Sequence, residues 1–87
     1  MGGMTDPRAF SPLDRAVAAL LRERAGRLDV TQAEIADAAG IPRSSFGRYW
    51  HGERSMTIGQ VEAALAALGT TYSESQEDIR RILASSD

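Results

Sequence analysis

Apolar residues recur every three or four positions along most of this chain, which is the period of a helix that buries one face. This pattern predicts five helices: 12–25, a short helix between Thr31 and Gly40, 43–51, a helix between Thr57 and Gly69, and 76–84. No segment alternates like a half-buried strand, so the expected fold class is all-α. The expected core stripes are Leu13, Val17, Leu20 and Leu21, then Ile58, Val61, Leu65 and Leu68, then Ile79, Ile82 and Leu83.

Polar residues at the helix ends support these boundaries. Two pairs have the spacing of a capping box, in which the N-cap and N3 side chains each bond to the other residue's backbone amide: Thr31 with Glu34, and Thr57 with Gln60. Two apolar pairs flank these boxes as hydrophobic staples: Val30 with Ile35, and Met56 with Val61.

Weaker signals mark the first and fifth helices. Ser11 before Pro12 is typical of an N-cap followed by proline in the first turn, and Gly26 is expected to end the first helix. Ser73 and Ser75 are the cap candidates for the fifth helix.

Residues 31–49 have the spacing of two short helices joined by a tight turn. Gly40 stands where the first of them would end in left-handed backbone, and Pro42 suits the first turn of the second. Six residues are expected to close between the two helices: Ile35, Ala36, Ala39, Ile41, Phe46 and Tyr49. The residues left facing outward are small, polar or cationic: Gln32, Arg43, Ser44, Gly47, Arg48 and His51. This is the pattern of a helix-turn-helix that reads the DNA major groove.

The segment resembles the helix-turn-helix of the lambda repressor/Cro-like family of prokaryotic and phage regulators. The matching residues are Thr31-Gln32, Ile35-Ala36, Gly40-Ile41, Ser44-Ser45-Phe46 and His51-Gly52, followed by Met56-Thr57-Ile58 and Leu65-Ala66-Ala67-Leu68-Gly69. The resemblance covers about 30–69. The chain departs from it at Trp50, where many members carry an acidic residue, and at Ser55, where many carry proline.

The resemblance implies a compact five-helix lambda repressor-like domain, with helices 2 and 3 as the helix-turn-helix. It implies binding to a double-stranded DNA operator and regulation of transcription, as a repressor or Cro-like protein in the cytoplasm of a bacterium or in a phage. The expected DNA-binding residues are Gln32, Arg43, Ser44, Ser45, Gly47, Arg48, His51 and Arg54.

These residues are expected to play different roles. Arg43 begins the second helix of the motif, where an arginine can bond to both O6 and N7 of guanine. Arg48 lies one turn further on the same face and could reach a base or a phosphate. Gln32 could bond a phosphate or brace the residue behind it, and the resemblance implies that His51 and Arg54 touch backbone phosphate.

Charge is distributed unevenly along the chain. The formal net charge is −2, which argues against a nonspecific coat on nucleic acid. Between Ile41 and Arg54, however, three arginines and a histidine face one glutamate, whereas the tail after Gly69 is acidic. A locally basic face on an acidic body suits a protein that relies on sequence contacts more than on many phosphate contacts.

Other chemistry finds little support. The chain has no cysteine and one histidine, so no disulfide framework, thiol nucleophile or metal-ligand cluster is expected. Ser44 and Ser45 have no base partner beyond His51 and no glycine-flanked nucleophile motif, so an enzyme is not favoured. No cofactor, small-molecule substrate or membrane span is evident. Residues 1–9 are expected to be a disordered lead containing a cloning remnant, and 10–87 a single domain.

The fifth helix leaves two possibilities open. Ile79, Ile82 and Leu83 could dock on the core of their own domain or form a symmetric patch with a second copy. Because the family usually dimerises, a homodimer is expected. The alternative function is a protein-interaction module, such as an antitoxin or a regulator-binding protein, whose acidic body contacts a protein and whose DNA binding is secondary or lost.

Overall fold

The computed structural model describes residues 12–85, and within that range the chain forms five helices and no strand. They are α1 (Pro12–Leu28), α2 (Gln32–Ala39), α3 (Arg43–Trp50), α4 (Ile58–Ala67) and α5 (Tyr72–Ser85). The all-α, five-helix prediction is therefore confirmed. The predicted Ser11 cap and the disordered lead lie outside the described residues.

The first helix runs past the glycine that was expected to end it. Gly26 lies within α1, which continues to Leu28, and Asp29 makes the left-handed turn at φ 58°. The Val30 amide then donates to the Ala25 carbonyl at 3.0 Å, which closes the helix end. Glycine inside a helix costs only about 1 kcal/mol relative to alanine, and aspartate tolerates left-handed backbone better than most residues, so the end shifts to Asp29.

Both predicted capping boxes are present. The Thr31 hydroxyl accepts from the Glu34 amide at 3.1 Å, and the Glu34 carboxylate accepts from the Thr31 amide at 2.8 Å. The Thr57 hydroxyl and the Gln60 side chain exchange the equivalent bonds at 3.1 and 3.0 Å. Local side-chain chemistry therefore sets where α2 and α4 begin.

The turn between α2 and α3 depends on Gly40, which has φ 70°. The following amide, of Ile41, donates to the Ala36 carbonyl at 3.0 Å, a bond characteristic of a glycine-terminated helix. Pro42 is the N-cap of α3 rather than its first helical residue, and its carbonyl accepts from the Phe46 amide at 2.9 Å. This short connection holds α2 and α3 in contact.

The core lies where α1, α2, α3 and α4 meet, and α5 closes it. Its fully buried large residues are Leu20, Leu21, Ile35, Phe46 and Leu65. Two predicted core positions are wrong, because Leu13 is 43% exposed and Ile58 is 74% exposed. Both lie in the first turn of their helix, at the edge of the core.

The fifth helix begins earlier than predicted, at Tyr72. Its cap is Thr71, whose hydroxyl accepts from the Glu74 amide at 3.1 Å. Ser75 is not a cap: its side chain is fully buried, and its hydroxyl lies 3.3 Å from that of Thr70. Ser73 lies inside the first turn of the helix. The predicted caps are therefore wrong, because Thr71 extends the helix by a turn.

The fifth helix packs along α1. Ile79 is 4% exposed and belongs to the chain's own core, whereas Ile82 and Leu83 are half-buried against it. Two ion pairs join the helices beside this contact, Arg24 with Asp78 and Arg81 with Glu23, each at 3.1 Å. Of the two possibilities left open for Ile79, the structure therefore favours docking on its own core, and Ile79 is not available as a dimer contact in the folded domain.

Candidate nucleic-acid interface

The aromatic residues of α3 determine which of its faces points outward. Phe46 and Tyr49 are buried and meet edge to face, with ring centroids 6.5 Å apart. Trp50 is half-buried, and its ring centroid lies 6.0 Å from that of Phe46. The two adjacent aromatics, Tyr49 and Trp50, are therefore placed differently, one inside and one partly exposed. Because these side chains anchor one side of a two-turn helix, the opposite side faces solvent.

The outward side of α3 carries hydroxyl and guanidinium groups. Ser44 and Arg48 are exposed, and Ser45 is half-buried. Together with Arg54 from the loop after α3, these residues line a shallow polar depression. The fold therefore brings four of the predicted DNA-binding residues to one place. The depression contains two cationic side chains and two hydroxyls, which are donors suited to phosphate and base oxygens.

Arg43, at the start of α3, is paired with the carboxylate of Asp37, a residue that the sequence pattern did not indicate. Its Nε donates to Asp37 Oδ1 at 3.1 Å and its Nη2 donates to Asp37 Oδ2 at 2.6 Å. The two side chains are 65% and 56% exposed. The hydrogen bond from Arg43 lowers the pKa of Asp37, and the hydrogen bond to Asp37 raises the pKa of Arg43. Both groups are therefore charged at neutral pH. The two residues are six positions apart and lie on either side of a turn, so helical periodicity could not have predicted the pair.

Gln32 lies against α3 at Gly47. A Cβ atom added to Gly47 would stand 3.4 Å from Gln32 Nε2, the short end of ordinary van der Waals contact, so a side chain larger than alanine would press on the amide. This geometry places the Gln32 amide over the α3 backbone, a position from which it can both pack on α3 and point towards a bound phosphate. A glycine inside a short helix is the sequence signal that could have indicated the contact, because such a glycine often marks a close approach.

The C-terminal end of α3 is tied to α1. His51 is the C-cap, and Arg22 of α1 donates from Nη1 to the Trp50 carbonyl at 2.5 Å. His51 is exposed and does not line the depression formed by the other residues. The structure thus separates His51 from the four residues it brings together, although His51 borders the same helix end.

The loop that carries Arg54 is also connected to α1. Ser55, which stands where many members of the resembling family have proline, donates from its hydroxyl to Asp14 Oδ2 at 2.5 Å. Gly52 has φ 71° and is buried against Arg15, and the Glu53 amide donates to the Arg48 carbonyl at 2.8 Å. These contacts define where the loop leaves α3.

The five-helix fold and the polar, cationic outer face of α3 define a helix-turn-helix protein of the DNA-binding class. A family model described as "Helix-turn-helix domain" matches residues 16–82, so the chain belongs to the helix-turn-helix family of DNA-binding transcription regulators. No curated protein matches the chain. Within residues 12–85, no helix has both the length and the apolar composition needed to cross a bilayer.

Two solved structures share the fold. A crystal structure of a mutant of the restriction-modification controller protein C.Esp1396I superposes with TM-score 0.82 at 18% identity, covering 91% of this chain and 100% of that one. The clp gene regulator ClgR from Corynebacterium glutamicum superposes with TM-score 0.77 at 20% identity, covering 90% of this chain and 81% of that one.

Proposed function

We propose that this protein binds double-stranded DNA at a specific operator, with α3 in the major groove, and regulates transcription from that site. The observation that carries the proposal is the division of α3 into a buried aromatic side, Phe46 and Tyr49, and an outward side of guanidinium and hydroxyl groups. A helix anchored in this way presents its polar groups from a rigid support, as base recognition requires. The two similar structures, a controller protein and a gene regulator, support the same function.

The roles within the proposed interface follow from position. Arg43, Ser44 and Arg48 project from the outer side of α3 and are assigned to base edges or the phosphates beside them. Ser45 and Gly47 form the half-buried margin of that side, where the backbone can approach the DNA. In helix-turn-helix proteins the first residues of the second helix contact bases, so Arg43 is assigned to guanine.

Backbone contacts are assigned to the residues that flank α3. Gln32, at the first position of α2, is assigned to a phosphate, with its packing over Gly47 holding the amide in place. His51 and Arg54 follow α3 and are assigned to phosphates on the other side of the groove. Such contacts position the protein without reading sequence.

The proposed assembly is a homodimer on a two-fold operator. A single motif spans only a few base pairs, and two copies read half-sites about 34 Å apart. Ile82 and Leu83, half-buried on α5, are the candidate contact residues. Regulation as a repressor or Cro-like protein, in the cytoplasm of a bacterial or phage-infected cell, completes the proposal.

Selection from random duplex DNA tests this function directly. We expect enrichment of one site, with affinity that falls as salt rises at a log–log slope of about −0.9 per phosphate contact. Affinity for unrelated duplexes should be much weaker, because the net charge is −2. Equal affinity for selected and unrelated duplexes at physiological salt would contradict sequence-specific binding and favour the protein-interaction module.

Paired alanine variants separate base contacts from phosphate contacts. Arg43→Ala should cost about 1–3 kcal/mol at the selected site and relax the preference for guanine at one position per half-site. Arg54→Ala should weaken binding to all sequences similarly and make the salt slope shallower. Both side chains are exposed, so both variants should fold. An unchanged guanine preference in Arg43→Ala would exclude that residue as the reader.

A further inference from the structure

We infer that Asp37 is a positioning residue for base recognition, which holds the Arg43 guanidinium so that its outer edge is presented to guanine. The inference rests on the proposed function and deepens it, because it names a specificity-determining residue on α2, the helix that does not itself enter the groove. Asp37 is acidic, so its charge does not mark it as a residue involved in DNA recognition.

The geometry of the pair supports this role. The Asp37 carboxylate accepts two hydrogen bonds from the Nε–Nη2 edge of Arg43, at 3.1 and 2.6 Å. Two parallel bonds between planar groups fix the orientation of the guanidinium plane as well as its distance. Of the ion pairs described within residues 12–85, the Asp37–Arg43 pair is the one that joins α2 to α3.

The donors that Asp37 leaves unused are the ones that guanine needs. A guanidinium has five N–H groups, and the pair with Asp37 occupies the one on Nε and one of those on Nη2. The remaining Nη1 and Nη2 donors lie along the end of the group, and two neighbouring donors can bond to O6 and N7 of guanine together. Asp37 therefore supports Arg43 without competing for its base-reading edge.

Preorganisation explains why the pair should matter for recognition even though it is exposed. A long arginine side chain loses rotamer entropy when it is ordered on DNA. Arg43 is already held in one orientation by α2, so less of that entropy is lost on binding. The carboxylate also repels phosphate, which lowers affinity for every duplex, and only a duplex that gives Arg43 its base contact recovers that cost. Asp37 should therefore lower affinity for unrelated DNA and raise the preference for the correct base.

The test measures affinity for the selected duplex and for a duplex in which the guanine assigned to Arg43 is replaced by adenine. In the parent, a bidentate contact should discriminate by roughly 5- to 150-fold. We expect Asp37→Asn and Asp37→Ala to reduce that discrimination by roughly 2- to 5-fold, the range of an exposed ion pair, while affinity for unrelated duplexes rises. Thermal melts should change little, because position 37 is exposed in the last turn of α2 and alanine is a good helix former.

Two controls isolate the positioning effect. Glu53→Gln removes one negative charge from the exposed loop after α3, so it should alter affinity for all duplexes and leave discrimination at the parental value. In an Arg43→Ala background, Asp37→Asn should no longer affect discrimination. NMR of the Arg43 Nε–H group in the free protein should show greater mobility in Asp37→Ala.

The outcomes separate this inference from the function on which it rests. A parent chain that selects no DNA sequence would refute the proposed function and the inference with it. A parent that selects a site, together with an Asp37→Ala variant of parental discrimination, would refute the inference alone. Increased discrimination in Asp37→Ala would also refute it, since Asp37 would then be blocking the base-reading edge of Arg43.

Discussion

At the scale of single residues, the outer side of α3 depends on partners contributed by α2. Asp37 bonds to Arg43, and Gln32 lies over Gly47. Gly47 carries no left-handed backbone, so its conformation does not require glycine. What favours glycine at this position is the space that the Gln32 amide occupies above it. Glycine at position 47 lowers the stability of α3, and it leaves room for the Gln32 side chain close to the helix backbone.

This contact predicts opposite effects of Gly47→Ala on stability and on DNA binding. The substitution should stabilise the free domain by about 1 kcal/mol, because alanine is the better helix former and the side-chain amide can shift. Affinity for the operator should fall, because the new methyl group lies against the Gln32 amide and occupies the half-buried margin of the interface. Thermal melts and duplex titrations would measure the two effects.

Gly26→Ala is the matched control. Gly26 is also helical, is exposed, and has no atom within 4 Å of an added Cβ. Gly26→Ala should stabilise the domain by a similar amount and leave its DNA affinity unchanged. Parental DNA affinity in Gly47→Ala would mean that neither the Gln32 position nor the space above Gly47 contributes to binding.

At the scale of elements, α2 and α4 begin with the same capping geometry but different chemistry. The box of α2 uses the carboxylate of Glu34, whereas that of α4 uses the neutral amide of Gln60. The hydrogen bond from the Thr31 amide, assisted by the Thr31 side chain, lowers the pKa of Glu34 below its ordinary value of 4.5. The two helix starts should therefore respond differently to acid.

The difference between the two capping boxes predicts how variants at Glu34 and Gln60 change the acid dependence of stability. Because the pKa of Glu34 is lower in the folded state, its contribution to stability is complete above pH 4.5 and is lost as the pH falls through the lowered value. Glu34→Gln should reduce the acid dependence of unfolding in that range, and Gln60→Glu should increase it. Urea unfolding at a series of pH values would test both, and equal pH profiles for parent and Glu34→Gln would contradict the prediction.

Removal of the hydroxyl caps gives a direct comparison of the two helices. Thr31→Ala and Thr57→Ala should each cost about 1 kcal/mol of stability at neutral pH, because each removes the acceptor for an N3 amide. Denaturant midpoints would measure the change. Variants as stable as the parent would mean that water satisfies these amides equally well.

At the scale of the whole molecule, α5 holds α1 against the rest of the core while leaving part of its apolar side accessible. Ile79 is enclosed within the chain, and the ion pairs of Arg24 and Arg81 fasten the two helices. Ile82 is half-buried and borders a surface depression with Pro12 and Ala19 of α1. Substitutions at Ile79 and at Ile82 should therefore have different effects, although both residues are apolar and lie on α5.

Aspartate substitutions on α5 should separate folding from assembly. Ile79→Asp should destabilise the domain by about 3–5 kcal/mol, because it buries an unpaired carboxylate in the core. If α5 forms the proposed dimer contact, Ile82→Asp should instead give a folded monomer with weaker binding to a two-half-site operator. Circular dichroism and light scattering would distinguish the two results. A parent that remains monomeric on its operator would contradict the homodimer.

Features that depend on a few neighbouring residues could be predicted from the sequence. The two capping boxes, the left-handed Gly40 and the buried positions of α2 and α3 all follow from spacings of one or two helical turns. The outward placement of Arg43, Ser44 and Arg48 follows from the same periodicity, because the aromatic residues between them must be buried. In these cases local backbone geometry and the hydrophobic effect require the same arrangement.

Contacts between separate elements decided the rest. Periodicity predicted that Leu13 and Ile58 are buried, but both are exposed because they lie in the first turn of their helix, at the edge of the core. The pairing of Arg43 with Asp37 and the approach of Arg54 to α3 depend on how the chain crosses a turn or returns from a loop. Helix period does not specify such distances, since it relates residues within one element. The outer face of α3 was therefore readable from the sequence, whereas the partners that support it required the packed structure.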